Sequence, residues 1–232
     1  MPIQSNNHLI VPMDERSLKS ALYEQVARIG KALASPKRLE LLEVLAQGEK
    51  TVDVLSQQLG IDMKLTSAHL KALREARLVQ GRREGKFIFY ALTGADVAVL
   101  GVHLRAVAES HLLEFQQAYA QLVDVPEQMQ ALDRKALMAQ ARRGDVVVID
   151  VRPAEEYASA HLPHARSVPL SELRQRLAAL PKDREIVAYC RGPFCLMSDE
   201  AVELLRAHGF KASKIFDGVS EWQAAGLALA TA

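Results

Sequence analysis

The apolar residues of this chain change their rhythm once, between residues 123 and 131, and that change divides the chain into two separately packed parts. Upstream the spacing is helical. Ala21, Val26, Ile29 and Leu33, then Leu39, Leu42, Val44 and Leu45, mark helix over residues 16–47. Ser35-Pro36 predicts a break inside it, because the residue before proline avoids the helical region. Gly48 fits its stop. Residues 51–59 and 64–76 form two short helices with Gly60-Ile61-Asp62 between them. LVQGRR and KFIFYAL then flank Glu84-Gly85, which predicts a β-hairpin. Residues 95–122 read as one long helix through Leu100, Leu104, Val107, Leu112 and Phe115. The pattern lapses over Val123–Met129 around Pro126. Beyond it, short apolar runs at 146–151, 186–190 and 211–216 alternate with helical stretches at 171–180 and 198–209. Strands alternating with helices imply a parallel sheet covered on both faces. The expected architecture is a mainly α domain over 16–122, a linker over 123–130, and an α/β domain over 131–232.

Composition limits the class but not the partner. Hydrophobic residues make up 49% and charged residues 25%, the balance of a soluble globular protein. The start MPIQSNNHLIVPMDERS lacks the basic and apolar regions of a signal peptide. No apolar run approaches the ~18 residues needed to span a bilayer. The expected location is the cytoplasm, with no membrane partner. The net charge is +1, so any affinity for nucleic acid must come from local charge.

That local charge exists. Residues 64–86 hold Lys64, Lys71, Arg74, Arg77, Arg82, Arg83 and Lys86 against Glu75 and Glu84, seven cations against two carboxylates. On a wheel of about 100° per residue with Lys64 at zero, Leu65, Ala68, Ala72, Leu73 and Ala76 fall between about 40° and 180°. Lys64, Ser67, Lys71 and Arg74 fall between about 280° and 360° on that wheel. One face packs and the other is basic, as a helix entering a major groove requires. The order helix, tight turn, helix, hairpin is that of a winged helix-turn-helix. The candidate DNA contacts are Lys64, Thr66, Ser67, Lys71 and Arg74 on the helix, with Arg82, Arg83 and Lys86 on the hairpin. His69 falls on the packing side and is expected to pack rather than read bases.

The runs ALASPKRLELLEVL, TSAHLKALREARLV and GRREGKFIFYAL resemble the ArsR family of winged-helix repressors across the first domain. The resemblance implies a homodimer on operator DNA, with residues 16–34 and 95–122 as the dimer interface and a pseudo-palindromic operator. It also implies release of DNA on sensing a metal, metalloid or redox signal. The metal positions depart from the family. Thr51 and Asp53 stand where a Cys-x-Cys would bind metalloids. His111 and Glu114 match half of an interhelical zinc site, but Ala98 and Leu100 hold the other half, and His103 has the wrong spacing. No cysteine lies in this half, and no cofactor is expected.

Cys190 and Cys195 lie in the second domain. Cys190 closes an apolar run and Ser198-Asp199-Glu200 opens a helix. Amides converge at such a junction and the helix N-terminus is positive, so a lowered pKa is expected at Cys190, with Arg191 as a stabilising cation. A phosphatase loop of the Cys-x5-Arg type needs arginine where Leu196 stands, so phosphate transfer is disfavoured. A second thiol at Cys195 would resolve a persulfide on Cys190 to a disulfide or polysulfide, unless it is only a packed filler.

VVVIDVRPAEEYASAHLPHARSVPL, IVAYCRGPFCLMS and IFDGVSEWQAAGL together resemble a single rhodanese domain over residues 131–232. The resemblance implies that Cys190 accepts sulfane sulfur from a small-molecule donor. It matches Asp150, Arg152 and His161 to supporting positions, read as scaffold, and Trp222 to a structural aromatic. Ala160 and His164 replace expected glycines. The leading expectation is a regulator whose operator binding responds to sulfur on Cys190. A sulfurtransferase enzyme with an independent DNA-binding domain is the second. A metalloid-responsive repressor using both cysteines is the third.

Overall fold

The computed structural model describes residues 14–122 and 133–232. The expected linker and the segment before Asp14 lie outside them. In the first part, α1 (Glu15–Leu33) and α2 (Pro36–Leu45) meet at Ser35, whose extended backbone makes the predicted break. The short β1 (Lys50–Thr51) follows, which the helical reading of residues 51–59 did not separate. Next come α3 (Val52–Leu59), α4 (Met63–Glu75), β2 (Val79–Glu84) and β3 (Phe87–Leu92). Gly60 ends α3 in the left-handed region, and the Asp62 carboxylate caps α4 through the Leu65 amide at 2.9 Å. This supplies the tight turn between the two helices. β2 and β3 pair antiparallel with Glu84 opposite Phe87, and β1 adds to the outer side of β3.

The expected single helix over 95–122 is two. α5 (Ala95–His111) stops at Leu112, which is extended, and α6 (Leu113–Leu122) restarts in a new direction. The Gln116 side chain donates to the Glu109 carbonyl at 2.9 Å, satisfying an acceptor freed by the break. Neither proline nor glycine marks the site, so the periodicity alone runs straight through it.

The second part contains α7 (Arg134–Arg143), β4 (Val146–Asp150), α8 (Ala154–Ser159), β5 (Arg166–Ser167), α9 (Leu170–Arg176), β6 (Glu185–Tyr189), α10 (Met197–Ala207), β7 (Ala212–Lys214) and α11 (Val219–Ala224). Its four strands are all parallel, in the order β5-β4-β6-β7. Alternate residues sort to opposite faces. Val147, Ile149, Ile186 and Ala188 join a core with Leu173 and Leu205, whereas Val148, Val187 and Tyr189 join another with Leu137 and Trp222. The sheet is thus covered on both sides, as its near-continuous apolar runs predict. A third core, with Leu41, Leu55, Leu70 and Leu73 at its centre, belongs to the first part. Among the described residues no helix is long and apolar enough to cross a membrane.

Candidate functional site

β6 ends at Tyr189, delivering Cys190 at the edge of the core with 2% of its surface exposed. Residues 191–196 then loop to α10, and the Cys195 amide donates to the Gly192 carbonyl at 3.1 Å. Gly218, at the start of α11, lies so close beneath this loop that a Cβ would meet the Arg191 carbonyl oxygen at 2.3 Å. Only glycine permits that approach.

The two thiols share one hydrogen-bonded site. The Cys190 sulfur lies 3.1 Å from the Cys195 carbonyl oxygen and 3.3 Å from Ser198 Oγ. The neighbouring Cys190 thiol and, against burial, the main-chain amides of Arg191 and Met197 lower the Cys195 pKa to about 7. Cys190 moves the other way, raised by its hydrogen bond to Cys195, by burial and by the charge on Cys195. The lowered pKa expected at Cys190 therefore belongs to Cys195. The amides converge as the strand–loop–helix reading requires, but the sulfur they hold comes from five residues further on.

Arg191 is held by a carboxylate. Its guanidinium is bidentate on Glu156, with Nε to Oε2 at 3.0 Å and Nη2 to Oε1 at 2.7 Å. Its amide and its charge both lower the pKa of Cys195. Glu156 is itself almost fully buried, and its Oε1 lies 3.3 Å from Nζ of Lys50 on β1. One carboxylate thus joins the cysteine loop to the sheet of the hairpin. On the loop's other side, the Phe194 ring sits 5.9 Å from Phe115 and 6.1 Å from Tyr119, both on α6. Arg105 on α5 lies over Phe194 and pairs with Glu221 on α11 at 2.6 Å.

Among the described residues, Asp150, Arg152 and His161 make no hydrogen bond to either cysteine. Arg152 and Asp150 form a fully buried ion pair at 2.6 Å, and Tyr189 donates to Asp150 at 2.5 Å. Arg152 also donates to Gln47 beyond the end of α2 at 2.7 Å, so this pair too spans both parts. His161 stacks on Tyr157 and lies 2.9 Å from its carbonyl oxygen through Nδ1. Glu156, Gln47, Lys50 and Phe194 escaped the sequence reading. Only Phe194, a lone aromatic between two cysteines, carried a visible signal.

On α4, Lys64, Ser67, Lys71 and Arg74 are exposed together. Thr66 is not among them. It is fully buried and its hydroxyl donates to the Asp62 carbonyl at 2.9 Å, so a direct base contact by Thr66 is excluded by its burial. The packing face centres on Thr66, Leu70 and Leu73, while Leu65 and Ala68 are exposed. That is a rotation of about 100° from the expected face. His69 is half-buried on the packing side. On the hairpin, Arg82 is exposed but held by Glu49 at 2.6 Å and Glu84 at 2.5 Å. Arg83 donates to the Gly85 carbonyl at 3.2 Å, and Lys86 lies over the Phe87 ring. Thr51, at the metalloid position, accepts from the Val54 amide and caps α3. Among the described residues no three metal-ligating side chains cluster.

Comparison with known proteins places both parts. The profile for bacterial regulatory proteins of the arsR family matches residues 35–80, and that for rhodanese-like domains matches residues 133–225. An HTH-type transcriptional regulator of Mycobacterium tuberculosis is 44% identical over 209 residues, covering 90% of this chain and 92% of that protein. A biofilm growth-associated repressor of Xylella fastidiosa is 45% identical over 76 residues, 33% of this chain and 67% of the repressor. The homodimeric winged helix-turn-helix DNA-binding domain of a Mycobacterium bovis protein is 42% identical over 45% of this chain and 95% of that fragment, with a TM-score of 0.40.

Proposed function

The chain belongs to the ArsR family of winged helix-turn-helix transcriptional regulators, in the form that carries a C-terminal rhodanese-like domain, and from that premise we propose that sulfane sulfur captured at its cysteine pair alters its grip on operator DNA. The observation that carries this reading is the position of the loop. Residues 190–196 bear both thiols, the Phe194 ring that meets Phe115 of the first domain, and the Arg191 guanidinium that holds Glu156, whose carboxylate reaches Lys50 of the first domain.

The chemistry follows from the shared proton. The two thiols titrate as a pair, so transfer of the Cys190 proton to the Cys195 sulfur generates the Cys190 thiolate and the Cys195 thiol. The Cys190 thiolate attacks the outer sulfur of a donor R–S–SH, forming Cys190–S–SH and releasing RS⁻. RS⁻ takes the Cys195 proton. The Cys195 thiolate then attacks the inner sulfur on Cys190, expelling HS⁻ and leaving a Cys190–Cys195 disulfide. Two thiols are oxidised and one sulfane sulfur is reduced to sulfide. Every step adds to or rearranges a cradle that Cys195 already fills, so residues 191–196 must shift and take Arg191 and Phe194 with them.

The DNA contacts in this reading are Lys64, Ser67, Lys71 and Arg74 in the major groove, with Arg83 and Lys86 at the hairpin tip and Arg82 behind them. The functional unit is a homodimer. Leu22, Tyr23 and Val26 of α1 and Val107 of α5 are all more than half exposed, an apolar surface that a second copy covers.

The test is an operator titration before and after exposure to glutathione persulfide, with mass spectrometry of both cysteines on the same sample. The expected result is a change of about 5-fold or more in operator affinity in the native chain. C190S should show none. A native chain that is modified at Cys190 yet binds operator unchanged overturns the reading.

A further inference from the structure

We infer that a cavity between the two domains is a second effector site, for an apolar small molecule carrying one amine or hydroxyl donor. The cavity has a volume of about 440 Å³. That lies within the range of small-molecule sites and far above what one water needs. Leu39 and Leu42 of α2 form one wall, α5 a second, and Phe115 with Phe194 a third.

Two features point to a ligand. The first is Gly101, in the middle of α5. Glycine weakens a helix interior. Gly101 is not there for close packing, because a Cβ at that position would meet nothing within 4 Å. Its φ is not in the left-handed region either. What its missing side chain does is leave the cavity open. The second is Glu43 on α2, which lines the same space. Its carboxyl makes no hydrogen bond or ion pair among the described residues, and burial raises its pKa. The two arginines on the wall are already engaged, Arg105 by Glu221 and Arg191 by Glu156. Among the charged groups described on the wall, the one left without a partner is therefore Glu43, and it selects a donor rather than an anion.

The occupant would touch α2, which packs on the recognition helix α4, and Phe194 of the cysteine loop at once. It thus acts on DNA binding by a route that does not require sulfur chemistry, and it stands or falls separately from the persulfide reading.

The probe is 1-naphthylmethylamine, with 1-naphthylacetate as its anionic counterpart, titrated calorimetrically into the full chain. We expect saturable binding of the amine at one site per chain, about 10-fold tighter than the acetate. G101L fills the cavity and abolishes binding. A98L, one turn earlier along the same wall, does the same should G101L fail to fold. E43Q retains binding but loses the preference for the amine. Absence of saturable binding overturns the inference, as does binding that survives both filling substitutions. A change of oligomeric state in G101L by light scattering also overturns it, because the cavity would then belong to contact with a second copy.

Discussion

The Cys190 thiol and the amides of Arg191 and Met197 lower the Cys195 pKa to about 7, below the ordinary thiol range. Alkylation of Cys195 by iodoacetamide, followed site by site with mass spectrometry, should therefore rise through a midpoint near pH 7. Cys190 should lag throughout. C190A removes the first of the stabilising donors and should move the Cys195 midpoint upward; an unmoved midpoint would show that the amides alone set it. The linkage has a definite sign. The folded pKa lies below the unfolded one, so this thiol adds stability as pH rises above about 7 and loses it as pH falls through that value. Arg152 tests burial instead of reactivity. R152M leaves Asp150 buried without its cation, and should lower the unfolding free energy by roughly 3–5 kcal/mol in a urea titration. The double variant D150N/R152M should cost less, because no bare charge remains.

At the scale of elements, α4 was legible as a helix and its basic face as a face, but its packing phase was not. Thr66 reads as polar and was assigned to DNA, whereas a local bond to the Asp62 carbonyl lets its hydroxyl enter the core. Leu65 and Ala68 read as core and are exposed, since a wheel built from hydrophobicity alone weighs Leu65 above a satisfied threonine. The two readings separate in solution. K71A and R74A should each weaken operator binding and reduce the slope of log affinity against log salt by about 0.9. T66V should leave that slope intact and cost about 1 kcal/mol of stability. A shallower salt slope in T66V would return Thr66 to the DNA face. The break at Leu112 was illegible for a different reason. Its purpose is tertiary: the new direction of α6 brings Phe115 and Tyr119 onto Phe194, more than seventy residues away in sequence.

Across the whole molecule, the sequence told the two parts apart by their periods, helical spacing in one and strand–helix alternation in the other. It did not disclose that the parts are fastened together. Glu156 sits in AEEYAS, which reads as a solvated helix turn, yet it is buried between Arg191 and Lys50. Long-range ion pairs of this kind leave no local pattern. E156Q should keep persulfide chemistry at Cys190, measured by mass, while flattening the response of operator affinity to it. A retained response would route coupling elsewhere. V26D and V107D should shift the chain toward monomer in light scattering, each placing charge in the exposed apolar surface of α1 and α5.

The shared carboxylate of Glu156 also bears on heredity. Lys50 and Arg191 lie on different domains and lean on one acid. Neither can be replaced at leisure while the other stays. A chimera that grafted this DNA-binding half onto a foreign rhodanese lacking such an acid would strand Lys50 in a buried site with no counter-charge. These two domains, which look interchangeable as sequence blocks, should descend as a matched set, with positions 50, 156 and 191 changing together or not at all.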